Sequence, residues 1–208
     1  DKSTSDNDTS YIMKFNPRLL SHLDVSIGNL KFRQFSAARL QGKILLDKQV
    51  ISGKGLTFAA MSGMVFMDAK INASRKDSIL MSCEATISSL DVTELFSQLE
   101  NFGQITMTDK NVKGKINANI QFTSSWTTNL VINPAKVRAL ADITISNGEL
   151  INFIPIQALA KYIKVPDLNN IKFSTIKNQI SISDRKIFIP SMEINSTALN
   201  LTASGEHN

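Results

Sequence analysis

Histidine, cysteine and paired carboxylates carry much of enzyme chemistry, and this chain offers little of any of them. Two histidines occur among 208 residues, His22 near the start and His207 next to the end. A Ser/His/Asp or Cys/His arrangement would have to use one of these two. His22 follows Ser21 at the mouth of a strand-like run and reads as an exposed loop residue. Cys83 is the single cysteine, which excludes an internal disulfide and a multi-cysteine zinc site. It falls in the alternating run Ile79, Met81, Cys83, Ala85, Ile87 and reads as a small buried hydrophobe. Glu149, Glu193 and Glu206 do not pair at a motif spacing, although a two-carboxylate glycosidase site is spatial and leaves no fixed spacing to find. Gly53-Lys54-Gly55 echoes a phosphate loop but lacks the following helix, so it marks a turn or a strand kink. No Walker A, Rossmann or EF-hand pattern occurs. These residues predict a protein that is not an enzyme, with no catalytic residue, no metal and no cofactor.

Composition sets the next bounds. Hydrophobic residues make up 42% and charged residues 20%, enough apolar side chain to bury a core. No run of 18 apolar residues occurs, so this stretch holds no membrane-spanning helix. The 23 basic residues exceed the 18 acidic ones, a net charge of +5. That excess is mild and is scattered as single lysines on polar strand positions. No basic stripe interleaved with aromatics appears, which argues against nucleic acid as a partner. The chain opens at Asp1 and stops after a strand-like run, so it reads as a fragment of a longer parent.

Period-2 alternation dominates from residue 11 onward and puts apolar side chains on one face of a strand. Val112, Gly114, Ile116, Ala118, Ile120 and Phe122 alternate with Lys113, Lys115, Asn117, Asn119 and Gln121. The runs Val65, Met67, Ala69, Ile71, Ala73 and Val137, Ala139, Ala141, Ile143, Ile145 repeat the pattern, as do Ala38, Leu40, Gly42, Ile44 and Leu46. One wet face and one apolar face indicate antiparallel sheet. Turn signals separate the runs at Gly28-Asn29, Asp47-Lys48, Ser62-Gly63, Lys76-Asp77, Asp109-Lys110, Asn147-Gly148 and Asp184-Arg185. Asn147-Gly148 reads as a type I′ hairpin. Near Ser174-Thr175 the apolar parity shifts from odd to even, which predicts a β-bulge.

Two helices interrupt the strands. The first is Asp91–Leu99, with Asp91 as N-cap, Glu94 completing a capping box, and Val92, Leu95, Phe96 and Leu99 on one face. The second is Pro155–Lys164, with a stripe of Ile156, Leu159, Ala160 and Ile163. Both stripes are expected to pack on the apolar sheet face or close its end. The prediction is a mainly β fold with two short helices. A flexible leader (1–10) precedes one domain (11–208). About eleven strands would extend ~50 Å across the sheet, a size at which a sheet curls or splits.

The order of motifs in the last third resembles the C-terminal region of the AsmA-like family in its Bacteroidetes-type form. The resemblance rests on Gly148-Glu149-Leu150, Asn152-Phe153-Ile154-Pro155-Ile156, Phe173-Ser174-Thr175, Ile189-Pro190 and Ser204-Gly205-Glu206-His207. It extends over residues 23–145, while residues 124–136 depart from the family pattern. It implies a large twisted antiparallel sheet curled into an open, taco-like groove with an apolar concave face. It also implies bridge-like lipid transport and outer-membrane biogenesis in the periplasm of Gram-negative bacteria. The parent would be anchored in the inner membrane by a segment outside this chain. The expected partners are a phospholipid or another acyl-chain lipid, together with envelope proteins. The apolar rows supply the lipid-facing candidates. These are Val65, Met67, Ile71, Ile79, Met81 and Val112, followed by Ile116, Ile120, Phe122, Val137, Ile143 and Ile145.

Two other readings compete. An apolar strand face is usually a packed core, which would make the chain a closed scaffold or interaction module of the envelope. A carbohydrate-binding or hydrolytic β-domain would need an exposed aromatic platform or a carboxylate pair, and Trp126 is the only tryptophan.

Overall fold

The structure is a computed structural model that describes residues 15–103, 105–157, 168–196 and 200–207. Strands β1 (Leu20–Phe32), β2 (Phe35–Asp47), β3 (Val50–Ala60), β4 (Gly63–Asn72) and β5 (Ile79–Asp91) lead into helix α1 (Val92–Gln98). Then come β6 (Val112–Trp126), β7 (Arg138–Ile151), the single helical turn α2 (Ile154–Gln157), β8 (Asn170–Ser183), β9 (Lys186–Asn195) and β10 (Asn200–His207). The ten strands among the described residues join one open antiparallel sheet whose spatial order is the chain order. Nine strand spacings give it a width of about 43 Å.

Three hairpins turn on Lys48-Gln49, Met61-Ser62 and Asp184-Arg185, and both residues of each pair have positive φ. That is the type I′ geometry, whose twist matches the flanking strands. None of the three contains glycine. These turns fall within one residue of the expected Asp47-Lys48, Ser62-Gly63 and Asp184-Arg185. Gly28-Asn29 and Asn147-Gly148, by contrast, lie inside β1 and β7. Asn147 does take a positive φ of 51°, but it uses it in a bulge. Lys115 pairs with Ser146 and Lys113 with Glu149, so Asn147 and Gly148 together oppose Gly114. Gly148 is required on steric grounds: a Cβ there would stand 1.9 Å from the Phe173 ring.

The parity shift expected near Ser174-Thr175 is present, since Phe173 and Ile176 are both buried and the two residues between them are exposed. β7 and β8 nevertheless stay in register through it, with Gly148 opposite Phe173 and Ser146 opposite Thr175. Both strands turn together, so β8 does not bulge alone. Another shift occurs in β2 at Arg39, which has a φ of 53°. As a result Ala37 enters the core, while Ala38 pairs with Ala59.

Helix α1 begins at its expected cap. Asp91 Oδ1 accepts the Glu94 N–H at 3.1 Å. The capping box stays open, because both reciprocal groups bind the β3–β4 turn instead. The Glu94 carboxylate accepts from Ser62 Oγ at 2.8 Å, and the Asp91 N–H donates to the Met61 carbonyl at 2.8 Å. The helix start is therefore tied to a hairpin some thirty residues earlier in the chain. Of the expected helix Pro155–Lys164, residues 158–164 lie outside the described residues.

The buried cluster gathers at the α1 end of the sheet. Leu90, Val92 and Ile171 are each no more than 2% exposed there. Val65 in β4, Val112 and Ile116 in β6, Leu150 in β7, Phe173 in β8 and Ile194 in β9 join them. Burying each large side chain contributes about 1.5–3 kcal/mol, so this end anchors the fold.

Candidate functional site

Strand registers assign the side chains to two faces. One apolar row runs Leu56, Met67, Ala85, Ile120, Ala141, Ile180 across β3 to β8. The next row away from α1 runs Gly53, Ala69, Cys83, Phe122, Ala139, Ile182. Large side chains (Met67, Ile120, Phe122) interleave with small ones (Ala85, Ala139, Ala141), which gives the band a corrugated surface. All of these except Gly53 are half-buried, and they stand outside the buried cluster. The band spans five strand spacings, about 24 Å.

Of the lipid-facing candidates, Met67, Ile120 and Phe122 fall in this band and the others lie outside its two rows. Met67, Ile71, Met81, Ile120, Phe122 and Val137 are half-buried and outside the cluster. Val137 caps a short 3₁₀ turn just before β7. Val65, Val112 and Ile116 are buried in the cluster, and Ile143 and Ile145 pack against it. Ile79 is 1% exposed and pairs with Trp126 at the far end of the sheet. Among the helix candidates, Val92 is buried and Leu95 and Phe96 pack on the cluster, whereas Leu99 is exposed. Helical spacing placed Leu99 on the apolar stripe, but it forms the C-cap, where the chain turns away. The side chains of Ile156, Leu159 and Ile163 lie outside the described residues.

The opposite face is polar. Its rows run Thr57, Phe66, Thr86, Asn119, Asp142, Gln179 and Asp68, Glu84, Gln121, Leu140, Ser181. Asp68 sits directly opposite Glu84, a like-charge pairing that costs energy unless a cation offsets it. Lys54 Nζ does so, at 2.6 Å from Asp68 Oδ2, and the Gly55 N–H donates to Asp68 Oδ1 at 2.7 Å. The Lys54 hydrogen bond, then that of Gly55, holds the Asp68 carboxyl below its ordinary value. The kink read from Gly53-Lys54-Gly55 is real: the β3–β4 register shifts between Gly53 and Leu56. It presents Lys54 and the Gly55 amide to a carboxylate and serves no phosphate loop.

Depressions open on this polar face. One of about 430 Å³ is lined by Phe66, Asp68, Glu84, Thr86, Asn119, Gln121 and Asp142. It shares Asp68, Glu84 and Gln121 with a neighbour of about 450 Å³. The alternation pattern missed these residues as a site because cross-strand register is non-local. One signal was present: Phe66 in β4 and Leu140 in β7 break the polar parity of their strands and are exposed.

The residues singled out for chemistry stand apart. His22 is exposed but lies inside β1 opposite Leu45, not in a loop. His207 is in β10. Cys83 is half-buried in the apolar band, and burial pushes its thiol up. Trp126 is half-buried, and its indole N–H donates to the buried Ser124 Oγ at 2.7 Å, so it forms no free platform. Among the described residues no cluster of three His, Cys, Asp or Glu could hold a metal. Among them also, no helix is long and apolar enough to cross a membrane. Comparison with protein-family models, curated proteins and solved structures returned no match.

Proposed function

We propose that the half-exposed apolar band carries the acyl chain of a lipid. The observation that supports this most directly is the pair of unbroken apolar rows across β3 to β8 that stand outside the buried cluster. Each methylene moved from water onto such a surface gains up to about 0.8 kcal/mol, so a band some 24 Å across holds hydrocarbon without any specific contact. Alternate small and large side chains leave furrows beside Ile120 and Phe122. Headgroups would stay at the wet margins of the sheet. In this reading the sheet curls toward its apolar side as an open groove, and the chain is a non-enzymatic segment of a periplasmic carrier for phospholipid. Its longer parent would be held in the inner membrane and serve outer-membrane biogenesis. That context is what the resemblance to AsmA-like proteins implies.

The test is lipid mass spectrometry on protein purified from cells, combined with photo-crosslinking from positions on the band. Phospholipid should co-purify and crosslink at residues 120 and 141, and Ile120→Asp should abolish both signals. Failure to recover lipid, or crosslinks confined to the α1 end, would favour a closed scaffold module instead.

A further inference from the structure

The polar face is not flat. Four depressions on it share walls in sequence. The first two share Lys70, Ser82 and Thr123, and the second and third share Asp68, Glu84 and Gln121. The third and fourth share Thr86, Asn119 and Asp142. Together they make one trough along β5 and β6, from Leu80 to Ser88 on β5. Eight residue steps of extended chain make it about 27 Å long.

Its central lining is amide, hydroxyl and carboxylate around the exposed Phe66 ring, while Lys54, Lys70, Lys136 and Lys177 stand along the outer walls. Asn119 uses Oδ1 to accept from Thr86 at 3.1 Å, and Asp142 uses Oδ1 to accept from Gln179 at 2.7 Å. Their other polar atoms, Asn119 Nδ2 and Asp142 Oδ2, are left for a ligand. Phe66 is 46% exposed in the same wall. Three carboxylates (Asp68, Glu84, Asp142) line the central depression and its nearest cation, Lys54, is held by Asp68 at 2.6 Å, so the unpaired carboxylates Glu84 and Asp142 disfavour phosphate and other anions there. An apolar chain would leave these groups unpaired. A neutral, hydroxyl-rich chain with apolar ring faces satisfies them: hydroxyls meet the planar amides and carboxylates, and a C–H face lies on the Phe66 ring.

We propose that this trough binds a neutral oligosaccharide strand, with Phe66 as the stacking platform and Glu84, Asn119, Gln121 and Asp142 as hydrogen-bonding partners. The experiment is titration calorimetry with the N-acetylglucosamine hexamer and with cellohexaose, with an anionic galacturonate hexamer as control. Saturable binding of at least one neutral hexamer is expected, with the anionic one weaker. Phe66→Ala should weaken binding about tenfold, Asn119→Ala several-fold, and Phe66→Tyr should retain it. Phe66 is exposed, so these variants should keep the wild-type circular dichroism spectrum. Ile182→Asp, on the other face and outside the walls of the trough, should leave sugar binding unchanged, which separates this site from the lipid band. No binding of either neutral hexamer would overturn the proposal. So would equal binding by Phe66→Ala, preference for the anionic hexamer, or saturation by a neutral hexapeptide alone.

Discussion

The α1 end of the apolar face and the band beside it use the same side chains in the same strands, yet they differ in burial. Leu90 is 2% exposed and Ile116 9%, while Ile120, four residues along β6 from Ile116, is half-buried. Composition does not separate them. Over β5 and β6, what separates them is α1, tied by Ser62 and Met61 to the β3–β4 turn and laid against these two strands. The same alternation therefore yields core where something covers it and an available surface where nothing among the described residues is packed to the same depth. One end is packed as core, and the other stays half-exposed.

The largest effect expected from this contrast is on stability. Leu90→Ala should cost about 2–5 kcal/mol in urea unfolding, because it leaves a cavity in a packed cluster. Ile120→Ala should cost about half as much or less, since its site is already half open. Equal losses at the two positions would mean that the band is covered in solution. Gly148→Ala should come next, at about 1–3 kcal/mol, because its new methyl meets the Phe173 ring. Adding Phe173→Leu should recover part of that loss, which would place the strain at this contact. Asp91→Ala should cost about 1 kcal/mol through the lost helix cap, with hydrogen exchange rising first in α1. The smallest effect is at Asp68. Its folded pKa lies below the ordinary 3.8, so its contribution is fully present above that value. That contribution is lost as pH falls through the folded value. Asp68→Asn should flatten the acid limb of a stability-versus-pH curve slightly and leave it unchanged at neutral pH beyond the lost Lys54 contact.

Much of the strand pattern was legible because alternation is local: β4, β5 and β6 follow the runs at Val65, Ile79 and Val112 closely. The cap at Asp91 was legible for the same reason. The turns were less so. Asn147-Gly148 has the residues of a hairpin, but its left-handed residue serves a bulge between long strands. Lys48-Gln49 has no such residues and turns anyway, because pairing on both sides overrides local preference. The polar trough was least legible. Phe66, Glu84, Asn119 and Asp142 come from four strands and meet only through registers that no single run encodes.

One topological fact reaches into kinetics. Every strand finds its partners in its immediate chain neighbours. Hairpins close in about 1–10 μs, and a meander adds them one at a time without long loop closures. Assembly can therefore nucleate on the central strands and zip outward, faster than in β folds whose strands cross over. Unfolding should run the other way, with β1 and β10 fraying before the interior, since each is held by a single neighbour.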